Sequence, residues 1–171
     1  MTTEYLLERE MDHVLAALTP SNRLVCEVCL HTGLRVGDVV ALETQRIGRQ
    51  FWVVEAKTKK RRRVGLPDAL LADIRAQAGP VWAFPGRSQG HKTRQAVWCD
   101  VKRAAKAFRL PQNVGPHSFR KVYAVELLDK YGDLRRVQRA LNHSGVETTM
   151  IYAMADRLLE AKKAAKTCGR P

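Results

Sequence analysis

His143 and Tyr152 stand nine positions apart in LNHSGVETTMIY, and 23 residues before that histidine lies Arg120, in PHSFRKVY. A third group sits near the N-terminus, where HTGLRVGDVVAL places Arg35 three residues before Asp38. Side chains of these types suit phosphoryl transfer. A phenol has a pKa of about 10 and attacks phosphorus at neutral pH only with help. Two arginines and a histidine around one phosphate supply that help, by stabilising charge on the non-bridging oxygens. Arginine fits the task because it stays protonated and can donate two bonds at once.

Each group needs an element to hold it. Gly33 can close a helix with positive φ just ahead of Arg35. Arg35 and Asp38 then share a face of the next helical turn, as a guanidinium oriented by a carboxylate. Pro116 fixes the entry to a later helix, on which His117 and Arg120 fall one turn apart. Phe119, Val122, Tyr123 and Leu127 form the apolar stripe opposite them. A histidine and an arginine at a helix start make a phosphate site, because the free amide ends add positive charge. Each motif also has a plainer reading: a surface ion pair, a solvated basic face, or a tyrosine half-buried with its hydroxyl satisfied. Tyr5, Tyr123 and Tyr131 are read in that last way.

The surrounding pattern is mainly helical with a small antiparallel β-sheet, an α+β class. Helices are expected over about residues 3–18, from Thr19 or Ser21 to Gly33, and over 36–42, 68–78, 93–107, 117–130 and 134–141. A last helix is expected from 147 toward the C-terminus. FWVVEA and RVGLP read as partner strands joined by the polar turn KTKKRR. VWAFPGRSQGHK reads as loop. No repeat or long linker divides residues 1–171, so one domain is expected.

Thirty Lys and Arg against seventeen Asp and Glu leave a net charge of +13 and a pI near 10.1. That excess points to a polyanion, nucleic acid first. No run approaches eighteen apolar residues, so neither a span nor a membrane partner is expected. The acidic start MTTEYLLEREMDHV is unlike a secretory signal. The chain is read as soluble and cytoplasmic. Cys26 and Cys29 form a C-x-x-C, but within the apolar run RLVCEVCLHTG and without a second pair to complete a zinc site. They are read as buried helix cysteines, and no metal is expected.

Taken together, TGLR with a carboxylate at plus three, HSFR, LNHS and TTMIY resemble the tyrosine recombinase (phage integrase) family in order and spacing. The likeness runs from about residue 4 to 160. It implies a catalytic domain without the N-terminal core-binding domain that many relatives carry, either as a minimal recombinase or as an excised fragment. By this resemblance Arg35 and Arg120 would grip the scissile phosphate. His143 would donate to a phosphate oxygen, and His117 would accept the proton of the nucleophile Tyr152. Asp38 would support the site from behind. The family's hairpin lysine, general acid for the departing 5′-oxygen, would be Lys57, with Lys59 in reserve. Asn142 stands where the family usually has Gly, which asks for a turn that tolerates a side chain, and Phe119 replaces the common Leu.

Six of the seven residues from Lys57 to Arg63 are basic. Lys59, Lys60, Arg61, Arg62 and Arg63 are read as a DNA-facing hairpin, and Arg94, Lys102 and Arg103 as a second DNA-contacting set. The resemblance implies site-specific recombination of double-stranded DNA in a prokaryote, as in integration, excision or inversion, and leaves open a mobile element or a chromosome as its source. It would proceed through a 3′-phosphotyrosyl intermediate, with no cofactor, metal or ATP. It further implies a homotetramer on two DNA sites, and leaves a monomer open when DNA is absent. Accessory DNA-bending proteins are left open as further partners. Residues 155–171 would be exchanged between protomers, anchored by Leu158 and Leu159, or would close the domain itself. Two other readings stay open: a DNA-binding accessory or regulatory protein that keeps the fold, and a topoisomerase of type IB character.

Overall fold

A computed structural model of the protein describes residues 6–142. The expected Tyr5, His143, Tyr152 and C-terminal helix, with Leu158 and Leu159, lie outside them. Among the described residues, seven helices and one hairpin run in the order α1 (Glu8–Ala17), α2 (Pro20–Thr32), α3 (Val36–Val40), β1 (Gln50–Val54), β2 (Arg61–Gly65), α4 (Asp68–Gln77), α5 (Arg94–Ala107), α6 (Pro116–Tyr131) and α7 (Leu134–Leu141). A single 3-10 turn, Thr44–Arg46, intervenes after α3. Backbone contacts divide the chain into two compact units, Met1–Tyr123 and Ala124–Pro171, so the division falls inside α6.

In the first unit, α2 lies against α1, α3, α4, α5 and β2. Pro20 at its first turn presets the helical φ, and Gly33 ends it in the left-handed region at φ 62°. Val25, Cys26, Val28 and Cys29 are all fully buried along it. Burial pushes the Cys26 thiol well up, and pushes that of Cys29 up to about 12 with partial relief from Arg120. Both are packing residues, not reactive thiols. Val14, Leu34, Val39, Val40, Phe84, Val97, Val101 and Phe119 belong to the same core.

The hairpin alternates in and out. Phe51 and Val53 of β1 face the core, with Trp52 and Val54 outward. Val64 of β2 pairs with Phe51, and Arg62 pairs with Val53. Strand β2 therefore begins at Arg61, earlier than the sequence suggests, because the ladder continues while the side chains change from apolar to basic. The segment 81–92 is irregular, as expected. Even so it is pinned by bridges of Trp82 to Glu43 and His91 to Pro85, and it sends Phe84 into the core.

Asp100 joins three elements. Its Oδ2 accepts from the Thr19 backbone N–H at 2.9 Å, the Thr19 hydroxyl at 2.8 Å and the Asn22 amide at 2.8 Å. Oδ1 accepts from Arg103, whose Nη2 also reaches the Ala17 carbonyl at 2.8 Å. This ties α5 to the α1–α2 junction.

In the second unit, Asp133 caps α7 by accepting from the Arg135 and Arg136 N–H groups at 2.8 and 3.3 Å. Asn142 ends it at φ 52°, the left-handed turn that the Asn-for-Gly departure requires. Tyr131 is exposed, not half-buried, and the Arg136 guanidinium lies 3.6 Å from its ring centroid.

Candidate active site

The α2–α3 junction, residues 32–38, collects the groups that the sequence scatters. Helix α2 ends at Thr32, and its last carbonyls carry the negative end of the helix dipole. Two guanidiniums come to them from distant parts of the chain. Arg62 donates Nη2 to the Thr32 carbonyl at 2.6 Å, and Arg120 donates Nη1 to the Gly33 carbonyl. Gly33 matters twice here: its left-handed backbone turns that carbonyl, and it leads directly into Leu34 and Arg35. Arg35 and Arg120 are thus brought to one short stretch of backbone although 85 positions separate them.

Arg120 is only 2% exposed. The pattern of α6 had set it with His117 on a polar face, but the helix is buried on more sides than an amphipathic stripe allows. Ser118, Phe119, Arg120 and Val122 are all buried, and only His117 of this group is exposed. His117 lines a recess with Val36, Arg94, Gln95, Trp98 and Pro116. The α3–α5 approach that shapes the recess is close: a Cβ on Gly37 would meet Arg94 Cδ at 3.3 Å.

The carboxylate of Arg35 is not the one its spacing proposes. Arg35 Nη1 donates to Glu55 Oε2 at 2.5 Å. Asp38 instead accepts the Ala56 backbone N–H on Oδ1 at 2.9 Å. It thereby holds the start of the hairpin turn from α3. Glu55 was not foreseen, although strand alternation carries the signal. Phe51 and Val53 face inward, and a residue two further along the same strand must as well. An acid on an inward face needs a cation beside it.

Alternation also sorts the basic run. Arg61 and Arg63 are exposed, and the Arg61 guanidinium stacks 4.5 Å from the Trp52 ring centroid. Arg62 points inward, its side chain 10% exposed, with Nε 3.2 Å from Glu55 Oε1. Burial pulls its pKa down, and Glu55 opposes that pull. Arg62 therefore braces the site from inside, where the sequence had placed it with its neighbours facing DNA.

Lys57 lies exposed in the turn 55–60. The turn is closed by Lys59 N–H to the Glu55 carbonyl at 2.9 Å, with Lys59 itself left-handed at φ 55°. Lys59 and Lys60 are exposed as well. Of the second basic set, Arg94 adjoins His117, Lys102 donates to Asn113, and Arg103 is turned toward α1 and Asp100. The last two have intramolecular partners away from the α2–α3 junction.

Two arginines at the α2–α3 junction, a lysine on the adjoining hairpin and a mainly helical frame can now be set beside known proteins. The model of the phage integrase family matches residues 4–158. The chain belongs to that family. A phage integrase relative, the tyrosine recombinase XerD of Rhizobium meliloti, is 33% identical over 153 residues, covering 82% of this chain and 49% of its own. This chain thus spans about half the length of the curated relatives it matches. Family likeness extends to solved structures. The XerA recombinase covers 99% of this chain and 67% of its own with a TM-score of 0.75 at 22% identity. The XerH site-specific recombinase, solved in a post-cleavage complex with palindromic difH substrate, covers 95% of this chain and 52% of its own at 0.72 and 21%. At those identities the likeness is one of fold, and the fold is that of phage integrase catalytic domains.

Proposed function

We propose that this chain is the catalytic part of a site-specific DNA recombinase that cuts and rejoins DNA through a phosphotyrosine. Tyr152 would attack a backbone phosphorus, forming a 3′-phosphotyrosyl bond as the P–O5′ bond breaks. A 5′-hydroxyl from the partner duplex would then attack the phosphotyrosine and release Tyr152. Each step exchanges one phosphodiester for another, so the reaction needs no ATP.

One observation carries this reading: the α2–α3 junction gathers Arg35 and Arg120 and holds the hairpin turn that bears Lys57. The two guanidiniums would bind the non-bridging oxygens and stabilise the added charge of the pentavalent transition state, the work that paired metal ions do elsewhere. Lys57 would protonate the leaving 5′-oxygen. His117, exposed beside α3, would take the Tyr152 proton, and His143 would donate to a phosphate oxygen. The charge of +13 suits the DNA partner, with Lys59, Lys60, Arg61, Arg63 and Arg94 as phosphate contacts. Four protomers on two duplexes, residues 155–171 exchanged between them, and accessory DNA-bending proteins belong to the same proposal.

Nicked suicide duplexes carrying candidate sites test it on a denaturing gel. Wild type should form a covalent protein–DNA adduct, and Tyr152→Phe should bind DNA and form none. An adduct that persists in Tyr152→Phe would remove the nucleophile assignment. Tight binding without an adduct on any of many sites would favour the accessory protein. Product analysis on paired sites then distinguishes strand exchange from simple relaxation.

A further inference from the structure

Glu55 has no place in the chemistry above, yet it is a fully buried charged side chain. Its Oε2 accepts from Arg35 Nη1 at 2.5 Å and from the Thr58 hydroxyl at 3.2 Å. Its Oε1 faces Arg62 Nε at 3.2 Å. Because Arg62 also holds the Thr32 carbonyl, a circuit runs from Thr32 through Arg62 and Glu55 to Arg35 and closes along the backbone three residues later. Both ends of it lie on the α2–α3 junction, and its middle lies on the hairpin.

We infer that Glu55 is a positioning residue for strand cleavage, aiming the Arg35 guanidinium at the phosphate and locking that aim to the turn that carries Lys57. The inference rests on the function proposed above. Arginine has many rotamers, and an unheld one would sample them in front of the substrate. Glu55 binds Arg35 through Nη1 from the buried side. The Arg35 side chain remains 16% exposed, and no described residue hydrogen-bonds its Nε or Nη2. Those N–H groups are left for a phosphate. Lys57 stands between Glu55 and Thr58, so the acid that orients the arginine also fixes the backbone on both sides of the lysine. A phosphate gripped by Arg35 is thereby presented at a set distance from Lys57.

The rival account is that Glu55 only neutralises two half-buried guanidiniums. Two variants separate these. Glu55→Asp keeps the charge but withdraws the carboxylate by one methylene. Glu55→Gln/Arg62→Met removes one anion and one cation together, so the local charge stays balanced while the grip on Arg35 weakens. Adduct formation on the suicide duplex is followed under single turnover, beside thermal melting and DNA affinity.

If Glu55 positions Arg35, Glu55→Asp melts near wild type and the double variant melts no lower than Arg62→Met alone, and both bind DNA as tightly as wild type but form adduct about 10- to 100-fold more slowly. Wild-type rates in the balanced double variant would show that neutrality was all that Glu55 supplied, and would overturn the inference. Wild-type rates in Glu55→Asp would do the same. If neither variant folds, Glu55 is a folding element and the positioning role is likewise overturned. No adduct with wild type itself would instead take down the function on which the inference rests.

Discussion

The Asp38 carboxylate accepts the Ala56 backbone N–H at 2.9 Å, so helix α3 grips the hairpin turn one residue before Lys57. The bond joins main chain to side chain across 18 positions, and Asp38 is itself only 8% exposed. Asp38→Ala should cost about 1.5–3 kcal/mol, the worth of a hydrogen bond to a charged acceptor. Adduct formation should fall further than that loss alone explains, because the turn bearing Lys57 is released. Asp38→Asn keeps an acceptor oxygen and should stay near wild type. Chemical melts and single-turnover cleavage check both, and wild-type cleavage by Asp38→Ala would show that the tether is irrelevant.

The two lysine candidates differ in backbone. Lys59 occupies the left-handed region, which costs a side chain energy that glycine does not pay. Lys59→Gly should therefore hold or raise stability and leave cleavage within a few-fold of wild type. Lys57→Ala should slow cleavage sharply, and a substrate with sulfur at the bridging 5′ position should recover much of the loss, since sulfur leaves without protonation. If the sulfur substrate rescues Lys59→Gly and not Lys57→Ala, the general acid is Lys59.

Arginines 61 to 63 should separate in solution as they do in the hairpin. Arg61→Gln and Arg63→Gln should weaken DNA binding and each lower the salt slope by about 1, with melting little changed. Arg62→Gln should leave the salt slope intact and lower the melting temperature, because it strips a partner from Glu55 and from the Thr32 carbonyl. Salt-dependent binding isotherms decide the matter, and an equal slope change for all three would contradict the inward placement of Arg62.

Acid stability should carry the mark of Asp100. Burial alone would raise its pKa, but hydrogen bonds from Asn22, Thr19 and Arg103 outweigh that and hold it down, from 3.8 to about 2. A folded value below the ordinary one means stabilisation that is complete above the ordinary value and disappears as pH falls through the folded one. Wild type should lose more stability than Asp100→Asn as pH falls from about 4 to about 2. Urea midpoints across that window measure the difference, and parallel curves would show that Asp100 contributes nothing through its charge.

Much of the frame is local and could be read directly. Pro20 and Gly33 bound α2, Thr93 caps α5 by accepting the Ala96 N–H, and Asn142 takes the left-handed turn its position demands. These follow from φ preferences and short-range hydrogen bonds, which depend on a residue and its near neighbours. The period-two pattern likewise places Phe51, Val53 and Val64 inward, and read one step further it turns Glu55 and Arg62 inward with them.

The partnerships around the α2–α3 junction were decided only by tertiary structure. Arg120 meets the Gly33 carbonyl across 87 positions, Arg62 meets the Thr32 carbonyl across 30, and Arg35 meets Glu55 across 20. Spacing on one helical turn proposed Asp38 for Arg35, but a guanidinium is bound by whichever acceptor lies in reach after the core has packed. Here the Ala56 N–H claims Asp38, and the hairpin brings Glu55 to the arginine. Residue types and order suffice to name the family. Which carboxylate holds which arginine depends on long-range packing, because a buried charge must find its partner in space and not along the chain.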